Sequence, residues 1–158
     1  MIKTKNNRFL NWLFFIIWFV FIPNSAYVIT DLMHLKEIEN TYLWIDSLLI
    51  FNFAMNSLFI GSISLELIFN NFLLPRLGLT KSWIVTLILI YFTSIGIYMG
   101  RFLRFNSWDF ITNPSAIFRL TVERYTNPGL HPIALPFSIF ISTTILINFI
   151  LVKNILKR

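Results

Sequence analysis

Four apolar runs separated by polar connections set the reading of this chain: residues 9–22, 43–69, 83–103 and 133–152. A helix needs about 20 apolar residues to cross a hydrocarbon core near 30 Å. The second run is long enough to span with tilt, and the third and fourth approach the required length. The first has fourteen residues and as a helix rises about 21 Å, so it must borrow flanking residues or insert only in part. Pro23 follows it and is expected to end or kink the helix, because proline lacks an amide donor and clashes with the preceding turn. The pattern predicts an all-α, polytopic transmembrane bundle of about four helices, forming one integral membrane domain over residues 1–158.

Between the last two runs, Thr-Asn-Pro turns at 112–114 and 126–128 bracket "SAIFRLTVERY", and the prolines account for both boundaries. Ile117, Phe118, Leu120 and Tyr125 fall on one side of a helical wheel, with Arg119 and Glu123 opposite. A short interfacial helix over about 115–125 is expected. Its Arg124 lies near the apolar side and must snorkel or find a partner. Within the spans, Asn52, Asn56 and Glu66 occupy a sector of about 80° on the second helix and should face the bundle. Gly96 and Gly100 are spaced for close backbone approach. Ser138, Ser142, Thr144 and Asn148 are read as interhelical hydrogen-bonding groups.

Composition agrees with the pattern: 56% of residues are hydrophobic and 13% charged, against a charged fraction of about a quarter in soluble domains. The net charge of +6 does not imply nucleic acid, because the basic residues flank apolar runs and form no soluble patch. Cysteine is absent, which excludes disulfides, thiolate metal sites and thiol nucleophiles. Lys3, Lys5 and Arg8 ahead of an apolar run resemble a secretory signal, but "PNSAYV" offers no small-x-small cleavage site, so an uncleaved helix is expected. Both termini are expected in the cytoplasm, with the protein integral to the cytoplasmic membrane. Lys3, Lys5, Arg8, Arg76, Lys81, Lys153, Lys157 and Arg158 then lie inside, against Lys36, Arg101, Arg104, Arg119 and Arg124 outside, eight to five.

Candidate chemistry gathers at the outer connections. Asp31 and His34 share a face if residues 30–36 are helical and could present a carboxylate and an imidazole to a proton or a metal. The preferred reading is simpler: Thr30 or Asp31 caps a short interfacial helix, and His34 sits at the polar boundary. Two such groups do not make a metal site, so no metal and no cofactor is assigned. Asn106 and Ser107 are good N-cap residues, and Asp109 in the following first turn suits the helix dipole. Arg101 and Arg104, three apart at a helix end, suit phosphate or carboxylate. Their partners would be Asp31, Asp46 or Asp109, or the phosphate of a lipid headgroup. A serine triad has no Gly-x-Ser-x-Gly elbow to support it, and His131 lies among turn residues rather than in a span, which argues against haem.

"FIPNSAYVITDLMHL", "WIDSLLIFNFAMNSLFIG" and "SIGIYMGRFLRFNSWDFITNP" together resemble the bacterial and archaeal membrane proteins grouped as domain of unknown function 1361. The matching positions are Pro23, Asn24, Tyr27, Thr30, Asp31, Leu32, His34 and Leu35, then Asp46, then Gly100, Arg101, Phe102, Arg104, Asn106, Ser107, Trp108 and Asp109. Members of the family usually carry further hydrophobic segments before the first block, so the resemblance implies a shortened member or a late start. It implies no activity, but it does imply that the motif residues belong together. Two classes of function follow. One is a non-enzymatic membrane protein that binds a lipid headgroup or small anion, with Arg101, Arg104, Asn24, Tyr27, Asp46, Asn106 and Trp108 as candidates, or serves as a subunit or small transporter. The other is a membrane-embedded hydrolase or transferase acting on a lipid-linked substrate, with Asp31, His34 and Asp109 as acid, base or ligand. The expected partner is the bilayer, with the oligomeric state open.

Overall fold

In the computed structural model residues 8–37, 43–106 and 108–156 are described, those at 34–37 and 110 by backbone alone. Helix α1 (Arg8–Phe21) runs into α2 (Pro23–Tyr27) and then into a 3₁₀ segment (Val28–Glu37). Pro23 does not end the helical run. It occupies the first turn of α2, where a missing amide costs little, and Ile22 before it keeps helical torsions of φ −57° and ψ −32°. The first apolar run is therefore Arg8–Met33, 26 residues, about 39 Å at helical rise. Helix α1 itself matches the expected first helix at 9–22 to within one residue at each end, and the run takes up flanking residues as that short length requires.

Helix α3 (Leu43–Ile68) continues through one π turn (Phe69–Leu73) into α4 (Leu74–Phe102). A straight helix would separate Phe69 from Trp83 by about 21 Å, yet their ring centroids are 5.3 Å apart. The chain reverses at Gly78, whose φ of 74° and ψ of 174° are open to a residue without a Cβ. The connection expected between residues 70 and 82 is thus helical on both sides of a single glycine, and the third helix begins ahead of residue 83. Among the described residues three helical runs are long and apolar enough to cross a membrane, and the middle one doubles back, giving four helices. Helices α5 (Asp109–Thr112) and α6 (Pro114–Thr126) precede α7 (Ala134–Leu156). The expected interfacial helix is therefore present, one residue longer at each end. Asn113 and Asn127, each before a proline, leave helical torsions at its two ends.

Helix α7 packs against both α3 and α4, around Leu58, Leu65, Phe69, Ile90, Ile97, Ile141, Ile145 and Phe149. Helix α1 joins them through Phe15 stacked on Phe72 at 4.7 Å and Trp18 Nε1 donating to Ser64 Oγ at 2.7 Å. Three glycines seat α2. A Cβ on Gly61 would lie 2.2 Å from Ser25 Oγ, one on Gly96 3.1 Å from Pro23 Cγ, and one on Gly100 3.2 Å from Tyr27 Cε2. The close approach expected of Gly96 and Gly100 is thus made to α2.

The polar positions inside the spans divide differently from expectation. Glu66 is buried as expected, but Asn52 and Asn56 are exposed on the outward side of α3. Asn56 Nδ2 donates to Asn52 Oδ1 and to the Asn52 carbonyl, both at 2.8 Å, so the two amides satisfy each other only in part. On α7, Ser142 and Thr144 donate to their own helix at Ile139 and Phe140, where interhelical bonds were expected. Ser138 does reach across, to the Tyr125 hydroxyl on α6.

Candidate interfacial site

The first and last of the three matched blocks meet where α1, α2, α4 and α6 converge. Arg101, in the last turn of α4, turns back onto the 3₁₀ segment. Its Nη1 donates to Asp31 Oδ1 at 3.0 Å and its Nη2 to the Thr30 carbonyl at 2.7 Å. The Tyr27 ring lies 5.9 Å from the guanidinium. The Arg101 side chain is 9% exposed, so this bridge and the cation–π contact hold the end of α4 to the end of α2 in a half-dry setting. Asp31 and Arg101 thus form one of the pairs anticipated from sequence, and Arg101 is already engaged.

Arg104 differs. Leu103 and Phe105 both donate to the Met99 carbonyl, at 3.0 and 3.3 Å, and together they close the end of α4. The residue between them takes the left-handed position, where glycine is the usual occupant, and here it is Arg104 with φ 57°. A side chain in that conformation costs about 1–2 kcal/mol. The Arg104 side chain is exposed and has no ion pair or hydrogen bond among the described residues.

Next to it lies a cavity of about 360 Å³. Phe19, Val20 and Phe21 of α1, Phe92 and Met99 of α4, and Ile117 of α6 give it an apolar wall, while Asn24, Tyr27, Asn106 and Trp108 supply its polar groups. Gly96 and Gly100 form part of the floor. The volume falls in the range of small-molecule sites, and the lining has their usual composition of apolar surface with a few polar groups. Four of the sequence-derived ligand candidates therefore share one cavity. Asp46 is not among its lining residues; it is half-buried in the first turn of α3, where a carboxylate suits the helix dipole.

Asp109 opens α5, and its Oδ2 accepts the Asn106 amide at 2.6 Å. Asp109 thus stands in the first turn as expected, but the N-cap position falls to Trp108, which makes no side-chain cap, and the Asp109 carboxylate serves the backbone ahead of it. Ser107 and the His34 side chain lie outside the described residues. Among the described residues no three His, Cys, Asp or Glu side chains converge as a metal site would require.

Two polar clusters escaped the sequence reading. Arg124 finds the partner it needs in His131, with Nη1 against Nδ1, and His131 Nε2 stands 4.0 Å from Glu123 Oε1. Burial pushes the neighbouring Tyr125 hydroxyl up to about 12, keeping it protonated against Ser138. At the other end of the bundle, Lys153 Nζ lies 3.0 and 2.9 Å from the two Glu66 oxygens. These side chains are 6% and 4% exposed, and Phe69 lies 3.6 Å from the ammonium. A signal for this pair existed: Lys153 follows Ile145 and Phe149 at four-residue spacing, on the buried stripe of α7.

The family model described as "Protein of unknown function (DUF1361)" matches residues 1–148, and the chain belongs to that family. No curated protein and no solved structure matches it.

Proposed function

We propose that this family member is a multi-pass membrane protein that binds one amphiphile with an anionic headgroup in the cavity between α1, α4 and α6. The observation that carries this reading is Arg104, an exposed arginine held in a left-handed position beside Phe105 and Asn106 of the cavity. Stability alone favours glycine there, whereas a guanidinium offers a forked donor for phosphate or carboxylate. The apolar part of the ligand packs against Phe19, Phe92 and Ile117, and the Asn24 and Asn106 carboxamides supply neutral hydrogen-bonding groups near the headgroup. Arg101 contributes by fixing α2 against α4, since each of its Nη groups is bonded within the protein, to Asp31 and to the Thr30 carbonyl, and its side chain is largely buried. An acid–base role for Asp31 would first require its release from Arg101. We place the protein in the cytoplasmic membrane with both termini inside, which puts the cavity on the outer face.

Arg104→Gly tests the reading because its two effects run in opposite directions. Lipid retained through purification in mild detergent, identified by mass spectrometry, should fall about tenfold for anionic species, as expected for loss of a charge-assisted hydrogen bond. The melting temperature should stay level or rise as the backbone strain is relieved. Anionic lipid retained at the wild-type level would sink the proposal.

A further inference from the structure

We propose that the outward face of α3 binds a second copy of this chain, with Asn52 and Asn56 at the centre of the contact. Ile45, Leu49, Asn52, Asn56 and Phe59 follow at spacings of four, three, four and three residues, the a/d rhythm of a helix–helix seam. All five are exposed. The buried stripe of α3, Ala54, Leu58, Gly61 and Leu65, is displaced from them by two residues, about 200° around the helix. Helix α3 therefore presents two seams, one used within the bundle and one facing away from it.

The amides say what the second seam meets. Asn52 and Asn56 lie six and ten residues beyond Asp46, about 9 and 15 Å along the helix, well inside the hydrocarbon. Exposed hydroxyls in these spans bond back to their own helix, as Thr143 does to Ile139. An asparagine carries two donors and an acceptor with two lone pairs. Asn56 spends its amide nitrogen on Asn52, leaving its own Oδ1, one lone pair of Asn52 Oδ1 and the whole Asn52 Nδ2 group without a partner among the described residues. Acyl chains satisfy none of these, and polar groups in membrane helices turn toward protein. Two copies inserted in the same orientation are related by a twofold axis along the membrane normal, so each seam residue meets its own counterpart. Asn52 holds an unspent donor and an unspent acceptor, and its counterpart answers both.

The chain has no cysteine, so Leu49→Cys reports on this seam without background. In phosphatidylcholine vesicles, oxidation should link Leu49→Cys into dimers, while Phe140→Cys on the outward face of α7 should give none. Replacing both asparagines by leucine should weaken self-association about tenfold in an energy-transfer dilution assay, with the helical circular dichroism and melting temperature retained because neither residue touches the core. Absence of the Leu49→Cys dimer, unchanged association in the leucine variant, or a different protein co-purifying on this face would each overturn the proposal.

Discussion

Gly61 is the most crowded of the glycines, and its constraint comes from Ser25 rather than from backbone torsion. A methyl group there would lie 2.2 Å from the serine oxygen and 2.8 Å from its Cβ. Rotating the hydroxyl removes the first clash and leaves the second, so α2 or α3 must shift. Gly61→Ala is expected to lower stability by about 1–3 kcal/mol, the usual range for overpacking, and Ser25→Gly in the same chain should recover most of that loss. Thermal unfolding of the two single variants and the double variant measures it; additive losses would mean that the crowding lies elsewhere. The Gly96–Gly100 spacing was legible in sequence because small residues four apart have one common use. Its occupant was not, since nothing local to α4 names Pro23 and Tyr27. The same holds for Arg101 and Asp31: the residue types restrict the partners to a few acids, and only the fold chooses among them. Arg104 was legible as a charge and hidden as a strain, because left-handed torsion arises from the turn that ends α4.

At the scale of elements, the pairing of α3 with α7 rests on a charge buried at each side. Glu66 accepts from Lys153 and also from Asn70 Nδ2 at 2.7 Å, beside the π turn of Phe69–Leu73. Phe69 and Phe149, in ring contact at 6.0 Å, flank the ammonium. Removing one partner of such a pair leaves an uncompensated buried charge and costs about 3–5 kcal/mol, whereas replacing both by apolar groups of similar volume is often neutral or stabilising. Lys153→Met is therefore expected to unfold or dissociate α7 from the bundle at a lower denaturant concentration, and Glu66→Leu added to it should restore wild-type stability. A double variant no better than the single one would assign the pair a role beyond helix docking. Helix existence followed from apolar length, and the interfacial helix from its bracketing prolines. At Pro23 and Gly78 the sequence left the path of the chain open for a common reason. Each residue permits either a stop or a continuation, and the choice is made by packing: Pro23 against Gly96, and the Phe69–Trp83 contact that folds α4 back on α3.

For the whole molecule, the structure separates two polar ends that the sequence presents interleaved. Arg76 bonds the Phe72 carbonyl at 2.8 Å, and Phe72 stacks on Phe15 of α1, so Arg76 and the Gly78 turn lie toward the N-terminal end of the first span. Lys153 joins that end through Glu66 and Phe69. Arg101, Arg104, the cavity and α6 lie at the other. Lys and Arg near short loops remain on the cytoplasmic side during insertion, so the orientation proposed above, with the eight-to-five excess inside, predicts the Gly78 turn inward and α6 outward. Single cysteines decide it. Leu79 is 61% exposed just past the turn, and Leu130 is 75% exposed between α6 and α7. Expressed in a bacterial inner membrane, Leu130→Cys should react with an impermeant maleimide in intact spheroplasts, and Leu79→Cys only after permeabilisation. The reverse pattern would place the cavity on the cytoplasmic leaflet. It would leave the packing untouched and change which lipids can reach Arg104, because the anionic lipids of that leaflet would then be the nearest supply of headgroups.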